Sequence, residues 1–180
     1  MGQIKPPTPV KLVVSMFTAE PALFVAAKTR LSELWGPIDL ESELFPFAHT
    51  DYYAAEFGAD LLRQFVTFAT LIDPARLAEI KIATNGLEQE WAADGQRRIN
   101  LDPGYVSLSK LVLASTKDHA HRIYLQQGIY AEVTLCYRQK AFRAWPWTYP
   151  DYASMPYLRL FEQIRARYAA QLRQEMPAAR

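Results

Sequence analysis

Residues 98–137 read RINLDPGYVSLSKLVLASTKDHAHRIYLQQGIYAEVTLCY, with charged and hydrogen-bonding side chains set among alternating apolar ones. Alternation with a period of two is the mark of β-strands, whose successive side chains point to opposite faces of a sheet. Few other constraints on this chain are as tight, because a slip of one residue would exchange the two faces entirely. The loop at residues 126–128, Gln-Gln-Gly, predicts a three-residue hairpin with glycine at the left-handed position. Pairing Leu125 with Ile129 then sets Tyr124 opposite Tyr130 and Arg122 opposite Glu132 on one face, as a cross-strand ion pair. Ile123, Ala131, Val133 and Leu135 are expected on the core side. In NLDPGY, Pro103 and Gly104 suit the two central positions of a type II turn, which Asp102 would cap.

The rest of the chain supplies the helices. Residues 10–17 (VKLVVSMF) are apolar and β-branched, as a buried strand requires, and Thr18, Glu20 and Pro21 follow as helix-start chemistry. Phe24, Ala27, Leu31, Leu34 and Trp35 form one helical stripe before Gly36-Pro37 stops it. Residues 38–47 read as an edge strand or extended loop. In 61–71, Leu62, Val66 and Phe68 share one side, and Arg63, Phe65 and Thr67 the other. Asp73-Pro74 opens a second helix with Leu77, Ile80, Leu87 and Trp91 inward. After the proline-stiffened aromatic segment 144–152 (AWPWTYPDY), a last helix carries Leu158, Phe161, Ile164, Tyr168 and Leu172. This order predicts a single α+β domain over 1–180, a mostly antiparallel sheet with three main helices on one face, and a ferredoxin-like core with an added hairpin.

Composition narrows function chiefly by exclusion. Twenty Lys and Arg against nineteen Asp and Glu leave no long-range field, which argues against nucleic acid and anionic membrane as partners. One cysteine, Cys136, forms no internal disulfide and has no adjacent histidine to activate it. The apolar run near the start is too short and proline-broken for a secretory signal, and no 18-residue apolar span exists, so a cytoplasmic protein is expected. Neither GxxxxGK followed by Ser or Thr nor GxGxxG occurs, so phosphate could be held only by side chains.

The pieces RINLDPGY, SKLVLASTKDHAHRIYL and GIYAEVTL, with PVKLVVSMF, LWGPIDLESELFPF, HTDYY, LIDPARLAEIK and WTYPDY, resemble a bacterial family, domain of unknown function 4416, over nearly the whole length. The resemblance implies no established reaction, cofactor or partner. A GTP-binding label attached to some members finds no supporting motif in these residues.

The candidate chemistry is therefore read from side chains. Arg98, Lys110, Lys117 and Arg122 would neutralise a small anionic ligand such as a nucleotide or other phosphate compound. Asn100, Asp102, Tyr124 and Tyr130 stand beside them, Glu132 orients Arg122, and His121 with Glu132 is the acid–base candidate. A metal-dependent hydrolase using His49, Asp51, His119 and His121, spaced as two i, i+2 pairs, is a second hypothesis. Its tripeptides HTD and HAH lack the hydroxyl of the His-x-Ser/Thr pair that two-histidine phosphoesterases use on a ferredoxin-like fold. A third is a protein- or RNA-interaction module built on Trp145, Trp147, Tyr149 and Tyr152.

Overall fold

A computed structural model describes residues 2–47, 57 and 60–175. Strand β1 (Lys11–Thr18) leads into helix α1 (Pro21–Trp35), then β2 (Ile38–Glu41), β3 (Phe45–Pro46) and β4 (Leu62–Phe68). A 3-10 turn at Pro74–Arg76, capped by the Asp73 carboxylate on Ala75 N–H at 2.8 Å, opens α2 (Leu77–Glu90). There follow β5 (Asn100–Val106), β6 (Lys110–Ser115), β7 (Ile123–Gln126), β8 (Ile129–Arg138), β9 (Ala141–Ala144) and α3 (Met155–Glu175).

All pairings among the described strands are antiparallel, in the order β2-β4-β1-β5-β6-β8-β7, with β3 on β4 and β9 on β8. The first four positions of that order, with α1 and α2 as crossovers, are the β-α-β-β-α-β arrangement of a ferredoxin-like core. Strands β6 to β9 extend it on one side, so the α+β expectation holds in class and in the order of its core strands. No helix among the described residues is long and apolar enough to cross a membrane.

The helices lie on both faces of the sheet, where one face was expected. Leu12, Val14 and Met16 of β1 pack with Leu23, Phe24, Ala27 and Leu31 of α1 and Ile80 and Leu87 of α2. Val13, one residue out of phase, packs with Phe65 and with Tyr157, Leu160, Phe161 and Ile164 of α3 on the opposite side. Burial on both faces explains why every residue of β1 is buried and why it reads as a continuous apolar run. The lone charge in that run, Lys11, is satisfied by Asp39 at 2.6 Å, the Phe68 carbonyl at 2.7 Å and Gln171 at 2.7 Å.

Three local expectations are corrected. Leu34 is exposed, and Leu23 completes the inward stripe of α1 instead. The β7–β8 hairpin turns on two residues, Gln127 and Gly128, both at positive φ, because Gln126 pairs with Ile129 and Leu125 bulges out of register. Tyr124 still faces Tyr130, but β7 is the outermost strand and Ile123 projects into solvent.

The third correction matters most. NLDPGY is no turn but β5 itself, paired with β1 along its whole length, with Pro103 opposite Val14. Pairing with β6 covers only Gly104, Tyr105 and Val106. Beyond Gly104 the neighbours part: β6 goes on as a partner of β8, and residues 100–103 of β5 present an open edge. Proline has no N–H to lose on such an edge, which is where strands tolerate it. Leu101, two residues earlier and hence facing the same way, has its backbone groups met by α2: its N–H donates to Glu88 Oε1 at 2.6 Å and its carbonyl accepts from Lys81 Nζ at 2.9 Å.

Candidate functional site

The parting of β5 and β6 opens a cavity of about 830 Å³. One wall is α2 and the open edge of β5, with Lys81, Glu88, Arg97, Asn100 and Asp102; the other is the end of β6 and the start of the hairpin, with Ser115, Lys117, Arg122 and Glu132. Arg63 of β4 and residues 149–152 close it.

Four ion pairs line the cavity. Arg63 meets Asp151 through Nη1 and Oδ2, with both side chains buried, and the guanidinium lies 3.9 Å over the Phe47 ring. Arg63 Nε is buried with no hydrogen-bond partner among the described residues. Lys81 Nζ lies 3.0 Å from Asp102 Oδ1, and Arg97 Nη1 lies 3.3 Å from Glu88 Oε2. Arg122 Nε donates to Glu132 Oε2 at 2.9 Å, the cross-strand pair expected from the hairpin. Asn100 ties two of these pairs together, accepting from Arg97 Nη1 at 2.9 Å and donating to Asp102 Oδ2 at 2.7 Å.

Opposing forces set the two carboxyls of the α2 wall apart. Burial would raise the Asp102 carboxyl, but the Lys81 ammonium, the Arg63 guanidinium and the Asn100 amide outweigh it and hold the group below the ordinary aspartate range. At Glu88 burial wins: it pushes the carboxyl up, with Asp102 adding to the rise against Lys81, Arg97 and the Leu101 amide. A folded value above the unfolded one means that Glu88 stabilises the fold most below about pH 4.5 and loses that contribution as pH rises through its folded value. Asp102 acts oppositely, its contribution present above about pH 3.8 and lost as pH falls through its lowered folded value. Glu88→Gln keeps an acceptor for Leu101 N–H, so its melting temperature relative to wild type should climb between about pH 4 and about pH 8. A difference that stays flat over that range refutes this account of Glu88.

Not all of the residues singled out in the sequence reach this cavity. Asn100, Asp102, Lys117, Arg122 and Glu132 line it together. Arg98 does not: its guanidinium pairs with Glu20 at the surface. Lys110 stands at the other end of β6, opposite Cys136. Tyr124 and Tyr130 pack edge to face at 5.4 Å on the outer hairpin. His121 touches the site through Glu132, with Nε2 3.0 Å from Oε2, and its ring stacks on Trp147 at 5.4 Å. His119 stacks on His121 at 5.9 Å, and Trp147 on Trp145 at 5.2 Å, so four rings form one column. His49 and Asp51 lie outside the described residues. Among the described residues no three His, Cys, Asp or Glu side chains gather as a metal group would need.

Arg122 is positioned more than it is presented. Beyond Glu132 its guanidinium donates to Ser115 Oγ at 2.7 Å, the Lys117 carbonyl at 3.0 Å and the Tyr149 hydroxyl at 3.1 Å, and its side chain is almost wholly covered. Its work is to fix the β6 end and the 149–152 segment against each other. Sequence reasoning missed Arg63, Lys81, Glu88, Arg97 and Asp151. One signal was available: Lys81, Thr84 and Glu88 recur at helical spacing beside the inward stripe of α2, and all three are buried.

A family model described as a domain of unknown function (DUF4416) matches residues 8–168 of the chain. No curated protein and no solved structure matches it.

Proposed function

Since the chain belongs to the domain of unknown function 4416 family, we propose from its own geometry that the cavity between β5 and β6 binds a small anionic ligand, with phosphate compounds such as nucleotides as the favoured class. The observation that carries this reading is the convergence of charged and amide side chains from two halves of the sheet on one hollow of about 830 Å³. Protein interiors otherwise pack closely, and buried ion pairs contribute little net stability, so four of them around one hollow favour a binding role beside the structural one. The volume is that of a small-molecule site. Five cations face four carboxylates there, and burial disfavours the charged form of one of these, Glu88, so the lining favours a guest with negative charge.

Arg97 and Lys117 are the cations that would meet the ligand, while Arg122, oriented by Glu132, holds the wall. Arg98 and Lys110, away from the cavity, drop out of the proposed set. His121 would act on a bound ligand only through Glu132.

Nucleotides and sugar phosphates at about a hundred times their dissociation constant should stabilise the protein by about 2.7 kcal/mol, a rise of roughly 5–10 °C in melting temperature. Thr116→Trp, which places a large ring at the exposed rim of the cavity, should abolish the rise. A panel in which no phosphate compound moves the wild-type melting temperature refutes the proposal.

A further inference from the structure

The lining charges differ sharply in how much of each remains open. Arg63, Lys81, Glu88, Arg122, Glu132 and Asp151 leave 7 % or less of the side chain accessible, whereas Asp102 leaves 32 % and Arg97 28 %. These two are the charged partners that the ion-pair network offers to a guest. They stand on either side of one amide, because Asn100 accepts from Arg97 and donates to Asp102.

Their chemistry differs as much as their charge. An ionised carboxylate only accepts hydrogen bonds, so whatever meets Asp102 must bring a donor. An ammonium donor is disfavoured, since Lys81 is already 3.0 Å from Asp102 and the Arg63 guanidinium acts on the same carboxylate. A neutral hydroxyl meets no such repulsion. Arg97, a permanent cation with a forked set of donors, calls for an oxyanion.

Resting on the cavity-binding reading above, we propose that the ligand is a hydroxylated anion, a sugar phosphate or the ribose phosphate part of a nucleotide, whose hydroxyls donate to Asp102 while its phosphate lies against Arg97. The Asn100 amide between them fixes the spacing of the two groups and admits a short polyol rather than an extended chain. Discrimination arises because a ligand without hydroxyls would strip water from Asp102 and return nothing.

Calorimetric titration with ribose 5-phosphate and with pentyl phosphate, equal in carbon number but lacking ring hydroxyls, tests this directly. Wild type should bind the sugar phosphate at least about tenfold more tightly, the value of a hydrogen bond to a charged group. Asp102→Asn should shrink that advantage to about threefold or less, and Arg97→Gln should weaken both compounds alike. Should Asp102→Asn not fold, Asp102→Glu, which keeps the charge but displaces it by one methylene, should show the same shrinkage. Equal affinities for the two compounds in wild type, or an advantage untouched by the Asp102 variants, overturn the hydroxylated-anion assignment and leave the cavity reading standing. If neither compound binds and the phosphate panel also fails to shift the melting temperature, both fall.

Discussion

Asp151→Ala is expected to cost about 3–5 kcal/mol of folding stability, lowering the melting temperature by roughly 10 °C. The reason is the state of the partner left behind. Arg63 comes from a central strand, is 4 % exposed, and is ringed by Phe47, Phe17, Tyr152 and Tyr157, with centroids 3.9–6.0 Å from its guanidinium carbon. Aromatic faces attract a cation but do not replace a carboxylate, and with so little of the group exposed water replaces it poorly. Asp151 is drawn from 88 residues away, so its pairing with Arg63 also ties the 149–152 segment over the cavity. Removing the charge from both sides should undo most of the damage: Arg63→Met with Asp151→Leu leaves no unpaired charge, and such apolar replacements of buried pairs are often neutral. Guanidinium unfolding of the two variants decides the matter. A single variant as stable as wild type would mean that the pair is solvated and the cavity open at this end; a double variant no better than the single would mean that packing, not charge, is what Asp151 supplies.

How much of this could be read from the chain depends on the range of the forces involved. The helix of α1, the buried run of β1 and the two environments of β4 were legible because each follows from the period of apolar residues within a single element. The Arg122–Glu132 pair was legible because a short hairpin makes long-range partners local. Even there the register slipped at Leu125, since Gln127 adopts a left-handed conformation that composition alone assigns to glycine. The cavity was not legible. Its walls come from α2, β4, β5, β6 and the 149–152 segment, and nothing in any one of them states that β6 will leave β5. Lys81 and Glu88 look like the polar side of a surface helix until the open edge of β5 supplies the Leu101 amide and carbonyl that they satisfy. Local composition also misled: Pro-Gly usually marks a turn, but here proline sits in a strand, paired with β1 on one side and open on the side that β6 has left, and glycine at the point of close approach to β6.

That point of approach carries the second large effect. Gly104→Ala should cost about 3 kcal/mol, and Gly104→Val more, although neither asks the backbone for an unusual conformation. A methyl group on Gly104 would lie 2.4 Å from the Val112 carbonyl oxygen and 2.6 Å from Leu113 Cδ2. The first contact is backbone and cannot swing aside, so β5 and β6 must separate where their pairing has just begun. Only three residue pairs join these strands, and that seam is the strand pairing that continues the ferredoxin-like core into β6, β8, β7 and β9, beside the packing of α2 and α3 on the same strands. Widening it would shift the two walls of the cavity against each other, Lys81, Glu88 and Asp102 on one and Lys117, Arg122 and Glu132 on the other. Gly104→Ala should therefore weaken phosphate-compound binding as well as stability, with ligand affinity falling even at temperatures where the variant is fully folded. Denaturant titration and calorimetry on the same preparation separate the two. If the alanine variant stays within about 0.5 kcal/mol of wild type, β5 and β6 do not approach closely at Gly104, and the cavity they frame must be differently shaped.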